Sequence, residues 1–513
     1  MQNESRTLLT SLYRAAVKGA SPVEKTRLAV TAWLEEAKTR GESEAPIRLF
    51  AMGKAATAMT VGALRALRSA DREPVCGVVI CAHQSTDAPP GMNALPAAFT
   101  VHVGDNPVPG PASLDAGEAL SVAVHEVRTG DVALVLISGG TTALAAAPVA
   151  ALSLAIGNVE QAQARIANLA DTLLESGLAI HEMNAIRRRV LRWGAGRLAV
   201  ALHSRGASAI PVFAISDVVG DDPAVIGSGP CSPDALDAAT FLALLDAHHV
   251  RSALERDMSI FLGLSGSGTP PVGPAGAHPA FEKVRYQIVA RNADAVEALA
   301  AAARQAGVRL VTVEPHPLTG EAALLGNELA QRALSAAATT DVGESALIAF
   351  GGEPVVHLRD TYQHAFEASD DDDQISEERA VADDIALADH SSVDILDTPS
   401  VSGDEPMSGG RMQVLALAAA FALEAAAESG NRNARRITLL AAGTDGRDGP
   451  TDAAGAIVDA VVPALARRAG RQPERDLLTG RSWFPLDAAA ALLRTGPTGT
   501  NVMDVVAILI SPA

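Results

Sequence analysis

The sequence predicts an α/β fold built on a parallel β-sheet, and three observations support this prediction. Short apolar runs alternate with longer amphipathic or alanine-rich stretches, which is typical of strands that alternate with helices. Most of the apolar runs are continuous, as in strands that are covered by helices on both faces. The 513 residues are 48% hydrophobic and 20% charged, so the chain can form hydrophobic cores and is not disordered throughout.

The strand candidates are short and lie between turn-forming segments. They are Ile47–Met52, Gly77–Ala82, Phe99–Val103, Ala133–Ile137, Pro211–Ser216, Arg309–Val313, Ala346–Phe350, Ile437–Ala442 and Val505–Ile510. The stretches with a helical pattern are Ala55–Arg68, Ser113–Arg128, Glu182–Ser204, Asn292–Ala306, Glu321–Ala338, Met412–Glu428 and Ala453–Arg468. The N-terminal residues 1–20 are amphipathic at helical spacing as well. This alternation favours right-handed crossovers between parallel strands.

The length of the chain favours two domains, because one hydrophobic core rarely serves more than roughly 250–300 residues. Residues 265–279 are rich in Gly, Pro and Ser and keep neither a helical nor a strand period. We therefore predict an N-terminal domain of residues 1–265, with a doubly wound sheet, and a smaller α/β C-terminal domain of residues 266–513. Residues 361–408 are acidic with few large apolar side chains, and we expect a flexible surface insertion there.

The charge balance and the cysteine count exclude several classes of protein. The net charge of −19, most of it between Glu367 and Glu405, leaves no basic surplus for a nucleic-acid partner. Three cysteines are too few for a disulfide scaffold or a four-cysteine zinc site. The uncharged stretch Val132–Val159 is interrupted by two glycines and Pro148, which favours a buried strand and loop over a membrane helix. We expect a cytoplasmic monomer or homodimer with neither a nucleic-acid nor a membrane partner.

Candidate ligand-binding residues follow two predicted strands of the first domain. In a doubly wound sheet, ligands bind at the carboxyl ends of strands, beside the N-termini of helices. A lysine at the start of a helix can meet an anionic ligand, and a loop of glycines and hydroxyls can cradle a phosphate. A surface lysine and a plain strand-to-helix turn are the alternatives. The residues are Gly53 and Lys54 after the first strand, and Ser138, Gly139, Gly140 and Thr141 after the fourth.

Three carboxylates follow the predicted strand Pro211–Ser216. Asp217, Asp221 and Asp222 lie within six residues, where they repel one another unless a cation or several hydrogen-bond donors are present. Carboxylate oxygens, together with waters and phosphates, are the ligands that Mg²⁺ prefers. A helix N-cap made by Asp221 or Asp222 is the competing interpretation.

The second half of the chain also places polar residues next to predicted strand ends. Glycine-rich loops carry carboxylates, hydroxyls and an amide that can bind a substrate. The candidates are Glu353, Asp445, Asp448, Thr498 and Asn501. The Gly-x-Gly-x-x-Gly fingerprint of dinucleotide-binding folds is absent from the sequence. A lysine, an arginine, carboxylates and glycine loops together indicate phosphoryl transfer, in which the protein positions the groups and neutralises developing charge.

Eight motifs, in this order along the chain, give the sequence a family resemblance. They are MGKAA (52–56), SGGTTAL (138–144), MNAIRRR (183–189), ISDVVGDDPAVIGSGP (215–230), FGGEP (350–354), GGRMQ (409–413), AAGTDGRDGPTDAAGAIVD (441–459) and TGPTGTNVMD (495–504). With these motifs the chain resembles the class II glycerate 2-kinases, whose C-terminal half is called the MOFRL domain. The resemblance covers nearly the whole chain except the 361–408 insertion.

The resemblance implies a Rossmann-like N-terminal domain, a smaller α/β C-terminal domain and an active site in the cleft between them. It implies transfer of the ATP γ-phosphate to the 2-hydroxyl of D-glycerate, with Mg²⁺, to give 2-phosphoglycerate. The key lysine and arginine of the family fall on Lys54 and Arg411. Asp217 becomes a candidate for orienting the hydroxyl, and Asp221 and Asp222 become candidates for metal binding. The residues expected to line the cleft are Gly53, Ser138, Gly139, Gly140, Thr141, Glu353, Asp445, Asp448, Thr498 and Asn501.

Two other functions stay open at this point. The family motif around its key arginine differs here at Met412 and Val414, which motivates a weakened paralogue or an enzyme for another hydroxy acid. Relatives of the family have also been called hydroxypyruvate reductases, although the missing dinucleotide fingerprint argues against that activity.

Overall fold

The computed structural model describes residues 2–40, 44–82, 95–106, 108–175, 178, 180–234, 236–247, 262, 273–341, 343–356 and 409–512. The chain divides into two units. The first, called here the N-unit, is Ala20–Asp294 together with Gly499–Val502. The second, the C-unit, consists of Met1–Gly19, Ala295–Thr498 and Met503–Ala513. The predicted insertion 361–408 lies outside the described residues.

The described residues contain two six-stranded sheets and helices of very different lengths. The strands are β1 (Ile47–Met52), β2 (Cys76–Cys81), β3 (Phe99–Val103), β4 (Val132–Ile137), β5 (Ile210–Ile215), β6 (Val284–Ala290), β7 (Leu310–Val313), β8 (Ala346–Gly352), β9 (Ile437–Gly443), β10 (Gly455–Val458), β11 (Leu492–Leu493) and β12 (Asp504–Ile510). The helices are α1 (Gln2–Gly19), α2 (Pro22–Thr39), α3 (Ala56–Ser69), α4 (Pro111–His125), α5 (Thr141–Leu144), α6 (Ala150–Ile156), α7 (Val159–Glu175), α8 (Ile180–Val190), α9 (Arg197–Ser204), α10 (Ala238–Ala247), α11 (Asn292–Gln305), α12 (Ala322–Thr339), α13 (Arg411–Glu428), α14 (Val462–Arg468), α15 (Pro473–Leu478) and α16 (Trp483–Ala488). In this part of the chain every helix is too short or too polar to cross a membrane.

The sheet of the N-unit is parallel throughout and has the strand order β3-β2-β1-β4-β5-β6. This is the doubly wound order of dinucleotide-binding folds, and it confirms the predicted Rossmann-like fold. The strand order reverses between β1 and β4, which pair in register from Ile47↔Val132 to Met52↔Ile137. Ligands of such sheets bind at the carboxyl ends of the two strands beside this reversal, so the loops that begin at Gly53 and Ser138 form the expected site.

Helices on both faces explain why the central strands of the N-unit are apolar along nearly their whole length. Phe50 and Met52 of β1 belong to a core that also contains Leu120 of α4 and Leu198 of α9. The opposite face is covered by α2 and α3, and β1, β4 and β5 are buried at every position. A smaller core of α6, α7, α8 and α10 lies beside this sheet.

The sheet of the C-unit is mixed, with the order β11-β10-β9-β12-β8-β7. Only the β7–β8 pair is parallel among the described strands of this sheet, and β12 runs antiparallel to both β8 and β9. The prediction of a parallel sheet from continuous apolar runs was therefore wrong here. The runs are continuous because both faces are buried, by α12 and α13 on one side and by α1 on the other.

Several element boundaries differ from the sequence-based prediction. The predicted helix Ala453–Arg468 is a strand, β10, followed by the helix α14, because pairing with β9 overrides the helical preference of the alanines. The predicted helix Glu182–Ser204 is interrupted between α8 and α9, where Ala195 has a φ of 52° and Gly196 a φ of 78°. Strand β6 was not predicted; it pairs with β5 at the edge of the first sheet, so the N-unit continues beyond residue 265 to Asp294.

The N-terminal helix α1 packs on the C-unit sheet although it precedes the N-unit in the chain. Leu9, Leu12 and Tyr13 are buried, and the Tyr13 hydroxyl donates to the Gly443 carbonyl at 2.8 Å. Arg6 donates to the carbonyls of Ile457 at 2.8 Å and Ala490 at 2.7 Å. The amphipathic pattern at the N-terminus therefore reflects the packing of α1 on β9 and β12.

We expect Tyr13→Phe to lower the free energy of unfolding by about 1–2 kcal/mol, because the Gly443 carbonyl loses a buried hydrogen bond while the ring stays. Urea denaturation followed by circular dichroism measures the change. Ser11→Ala, on the exposed side of α1, is the matched control and should be nearly neutral. A Tyr13→Phe variant as stable as the wild type would contradict this account of how α1 is held.

Candidate active site

The loops that follow β1 and β4 are joined by hydrogen bonds at the point where the strand order reverses. The Lys54 amide donates to the Gly139 carbonyl at 2.8 Å, and the Ala55 amide donates to the Ser138 hydroxyl at 3.0 Å. Gly53 has a φ of 120°, and a Cβ atom there would lie 2.3 Å from the Ser138 hydroxyl. Glycine is therefore required at position 53 by both its backbone conformation and the close approach of the other loop.

The Lys54 side chain extends from this junction into solvent. It forms no ion pair or hydrogen bond with any residue that the structure describes, and α3 begins two residues later. A free ammonium group beside a helix N-terminus, at the carboxyl edge of a doubly wound sheet, is suited to an anionic ligand. The structure thus places Lys54 where the sequence predicted it.

Ser138 and Thr141 have a structural role in the junction. Both are buried, and the Thr141 hydroxyl is 3.0 Å from the Met52 carbonyl and 2.8 Å from that of Ser138. Both hydroxyls form hydrogen bonds with backbone groups and so stabilise the conformation of the loop. In the predicted phosphate cradle, Gly139 and Gly140 are therefore the residues that can still approach a ligand.

Asp217 lies against the same glycine loop, at the end of β5. A Cβ atom at Gly139 would be 1.6 Å from the Asp217 carboxylate, so the loop can pass only because residue 139 is glycine. The Asn501 amide lies 3.4 Å from this carboxylate. Asn501 belongs to Gly499–Val502, a short segment of the C-terminal sequence that is part of the N-unit. Lys54, Asp217 and Asn501, predicted from three distant motifs, thus belong to the same unit.

Asp221 and Asp222 make local contacts. Asp222 accepts a hydrogen bond from the Ala224 amide at 2.9 Å and so caps the following turn, whereas the competing interpretation was the N-cap of a helix. Asp221 forms an ion pair with Arg291 at 3.4 Å. The described residues contain no group of three or more His, Cys, Asp or Glu side chains arranged to hold a metal ion. A metal at this edge of the sheet would therefore need phosphates or water among its ligands.

The C-unit holds a second polar cluster, centred on Arg411 at the start of α13. The Arg411 guanidinium is bidentate to Asp504, with N···O distances of 2.6 and 3.3 Å, and donates to Glu353 at 2.9 Å. Asp504 opens β12 and pairs with Gly352 of β8 and Gly443 of β9, so the sheet itself positions the carboxylate. Burial lowers the pKa of Arg411, but Asp504 and Glu353 raise it more, and the group stays charged.

Asp504 and Asp448 are the buried carboxyl groups of this cluster. Burial raises the pKa of Asp504 to about 6, against the lowering effect of Arg411. Asp448 accepts hydrogen bonds from the amides of Met412 at 3.1 Å and Gln413 at 2.7 Å, and so caps α13. Burial, with a contribution from Asp504, raises the pKa of Asp448 to about 7. Asp448 was predicted to line a cleft; the structure makes it a helix cap that is 3% exposed.

The remaining predicted residues of the C-unit lie in the loops next to Asp504. The Thr498 amide donates to the Asp445 carbonyl at 3.1 Å, and its hydroxyl donates to the Thr444 carbonyl at 2.6 Å. Asp445 accepts from the Arg447 amide at 3.0 Å. Asp504 was missed as a site residue in the sequence, although it closes the TGPTGTNVMD motif that was quoted.

Two family models match the chain. A domain of unknown function, DUF4147, matches residues 8–263, and the MOFRL family matches residues 398–504. The first match includes Lys54 and Asp217, and the second includes Arg411 and Asp504. Asn501, which contacts Asp217 in the N-unit, also lies within the second match.

Named relatives and a solved structure extend the comparison. The D-glycerate 2-kinase of Thermotoga maritima is 27% identical over 90% of this chain and 90% of its own. Human glycerate kinase is 30% identical over 78% of this chain and 71% of its own. A protein of Agrobacterium vitis with the provisional name hydroxypyruvate reductase is 30% identical over 99% of this chain and 94% of its own. The crystal structure of glycerate kinase from Thermotoga maritima has the same fold, with a TM-score of 0.68 at 24% identity over 99% of this chain and 100% of its own.

We expect Asp448→Ala to destabilise the protein by about 1–3 kcal/mol, because two buried amides of α13 lose their acceptor. The raised pKa adds a pH dependence. At a pH between 3.8 and about 7 the folded state holds a proton that the unfolded chain has released, so the contribution of Asp448 to stability falls as the pH rises. The difference between wild type and variant in urea denaturation should be larger at pH 5 than at pH 8. A larger difference at pH 8 would mean that the two amides keep the carboxylate ionised.

Proposed function

Since the chain belongs to the glycerate kinase family, with its DUF4147 and MOFRL domains, we propose that it transfers the γ-phosphate of ATP to the 2-hydroxyl of D-glycerate. The observation that carries this proposal is the free Lys54 ammonium at the reversal of the doubly wound sheet, framed by two glycine-containing loops. A lysine at this place supplies positive charge where the transferred phosphoryl group develops negative charge.

The acidic residues of the N-unit fit a metal that arrives with the nucleotide. Mg²⁺ commonly uses one or two protein carboxylates and completes its coordination with phosphates and water. Asp217 lies against the glycine loop that follows β4, whereas Asp221 and Asp222 contact Arg291 and the Ala224 amide, so Asp217 is the better placed of the three carboxylates. We assign Asp217, oriented by Asn501, to the metal–nucleotide complex rather than to the acceptor hydroxyl. When bound, Mg²⁺ supplies neutralisation of the phosphate charge.

Arg411 serves the same reaction from the C-unit. Its guanidinium is fixed in direction by the two oxygens of Asp504, while Glu353 is about one-third exposed and occupies one terminal nitrogen. An anionic substrate group can replace Glu353 on this nitrogen, because a carboxylate or phosphate oxygen makes the same charge-assisted hydrogen bond. Catalysis in this proposal needs both clusters, and the predicted cleft between the domains stays a prediction.

The sequence departures next to Arg411 do not favour a weakened paralogue. Met412 and Val414 are 0% and 4% exposed, and they belong to the core between α13 and the sheet. Their side chains therefore fill the core and do not line the guanidinium cluster. A reductase activity is not supported, because the sequence lacks the glycine fingerprint of a dinucleotide site. Oxidation of NAD(P)H in the presence of hydroxypyruvate tests this alternative.

The proposal predicts ADP release that depends on D-glycerate, ATP and Mg²⁺, measured in a coupled assay, with the phosphorylated position read by ³¹P NMR. Lys54→Ala should lower kcat by roughly 10²–10³-fold, as for the loss of a donor that stabilises transition-state charge. Lys283→Ala is the matched control, since Lys283 is an exposed lysine of the same unit. Chelation of Mg²⁺ by EDTA should abolish turnover, and added MgCl₂ should restore it.

Arg411→Lys is the sharper test of the second cluster. A lysine keeps the charge but cannot contact Asp504 with two nitrogens and Glu353 with a third, so we expect activity to fall at least about tenfold. Thermal melting separates this loss from unfolding, and Arg432→Lys, at an exposed site of the same unit, is the control. Full activity of both Lys54→Ala and Arg411→Lys would overturn the proposed site. A wild-type protein without turnover on D-glycerate would overturn the proposed substrate.

A further inference from the structure

A cavity of about 180 Å³ lies in the N-unit, next to the loop that follows β4. Helix α8 contributes Asn184 and Arg187, which lie one turn apart and therefore share a face of the helix. The β4 loop contributes Gly140 and Thr142, and Asn106 comes from the segment after β3. The walls are otherwise apolar, with Ile166 and Leu169 of α7 among them.

The charge of the cavity selects the chemistry of its ligand. Arg187 is the one charged side chain among the described residues that line it, so the lining contributes a guanidinium group and no carboxylate. Two side-chain amides and a hydroxyl surround the same space and can bind hydroxyl groups. The planar guanidinium binds a carboxylate or a phosphate with two parallel hydrogen bonds, and low-dielectric apolar walls strengthen the attraction.

Gly140 connects this cavity to Lys54. A Cβ atom at residue 140 would lie 3.2 Å from the Cγ atom of Lys54 and 3.4 Å from the Asn106 amide nitrogen. The space on this side of the glycine is therefore bordered by the lysine stem and by a lining residue of the cavity. A small molecule held by Arg187 thus has the Lys54 region beside it.

The size of the cavity favours a small acceptor over a nucleotide as its ligand. At about 180 Å³ the cavity is smaller than the roughly 300–1,000 Å³ of pockets for drug-sized ligands, so it suits a three-carbon hydroxy acid better than a nucleotide. The apolar side chains of Ile166 and Leu169 limit how long the carbon chain can be.

We propose that this cavity is the acceptor site, in which Arg187 binds the carboxylate of a short hydroxy acid and Asn184 and Asn106 bind its hydroxyl groups. The inference rests on the proposed kinase function and adds the residues that select the acceptor. Since the negative ligand is held at Arg187, the hydroxyl that accepts phosphate lies toward Gly140 and Lys54. Arg187 is then a substrate-binding residue, and its loss should affect the KM for the acceptor.

The test compares Arg187→Met with Arg187→Lys in steady-state kinetics of the full-length protein. Loss of the charged hydrogen bonds in Arg187→Met should raise the KM for D-glycerate roughly 10- to 100-fold and leave the KM for ATP unchanged. Arg187→Lys should recover part of this loss, because the charge returns without the planar geometry. Arg188→Met is the matched control on the same helix, since Arg188 donates to the Ala224 carbonyl and faces Asp234. Thermal melting of all variants reports on folding.

Two kinetic results would overturn the acceptor site. One is a KM for D-glycerate that is unchanged in Arg187→Met, and the other is a KM for ATP that rises instead, which would assign Arg187 to a nucleotide phosphate. In both cases turnover by the wild type would leave the kinase function standing.

The opposite failure is distinguished by direct binding. If the wild type does not phosphorylate D-glycerate, calorimetry with D-glycerate, glycolate and D-lactate tests whether the cavity still binds a short hydroxy acid. Binding of any of these acids to the wild type, lost in Arg187→Met and kept in Arg188→Met, would support the acceptor site while the kinase proposal fails. Absence of binding by all three acids would overturn the acceptor site as well.

Discussion

The close approach of the loops after β1 and β4 is the constraint on which the N-unit site depends. A backbone hydrogen bond from the Lys54 amide to the Gly139 carbonyl holds the two loops together, and glycine at positions 53 and 139 leaves room for the Ser138 hydroxyl and the Asp217 carboxylate. The two loops can meet because β1 and β4 are parallel and in register, so that both strands end at the same edge of the sheet. A side chain at either glycine would separate the loops and move Lys54 away from Asp217.

The two units position their cations in opposite ways. The Lys54 side chain has no partner among the described residues, and its backbone is held by the hydrogen bond to the Gly139 carbonyl. Arg411 is held by side chains, with Asp504 on two nitrogens and Glu353 on a third. The helix that carries Arg411 is in turn capped by Asp448. A flexible point charge suits a group that moves during transfer, whereas a fixed planar group suits orientation of a substrate.

The sequence was sufficient to predict the α/β class, the family and nine strands close to their observed bounds, because buried strands are continuous apolar runs. It was not sufficient for the direction of the strands, since antiparallel β12 is as apolar as parallel β4 when helices cover both faces. The edge strand β6 alternates in burial and was missed. Among the site residues, Lys54 and Arg411 were predicted from motifs, whereas the cap made by Asp448 and the fixing of Arg411 by Asp504 depend on tertiary contacts that adjacent residues do not reveal.

Met1–Gly19 belongs to the C-unit and Gly499–Val502 to the N-unit, so the two units cannot be separated by one cut in the sequence. A fragment that ends at residue 294 would lack Gly499–Val502, and with it the Asn501 amide beside Asp217. The same fragment would keep α1, whose apolar side packs on a sheet that the fragment does not encode. The complementary fragment would expose the face of β9 and β12 that α1 covers. Each unit therefore takes residues from both parts of the sequence, and neither fragment contains all the residues that pack its own unit.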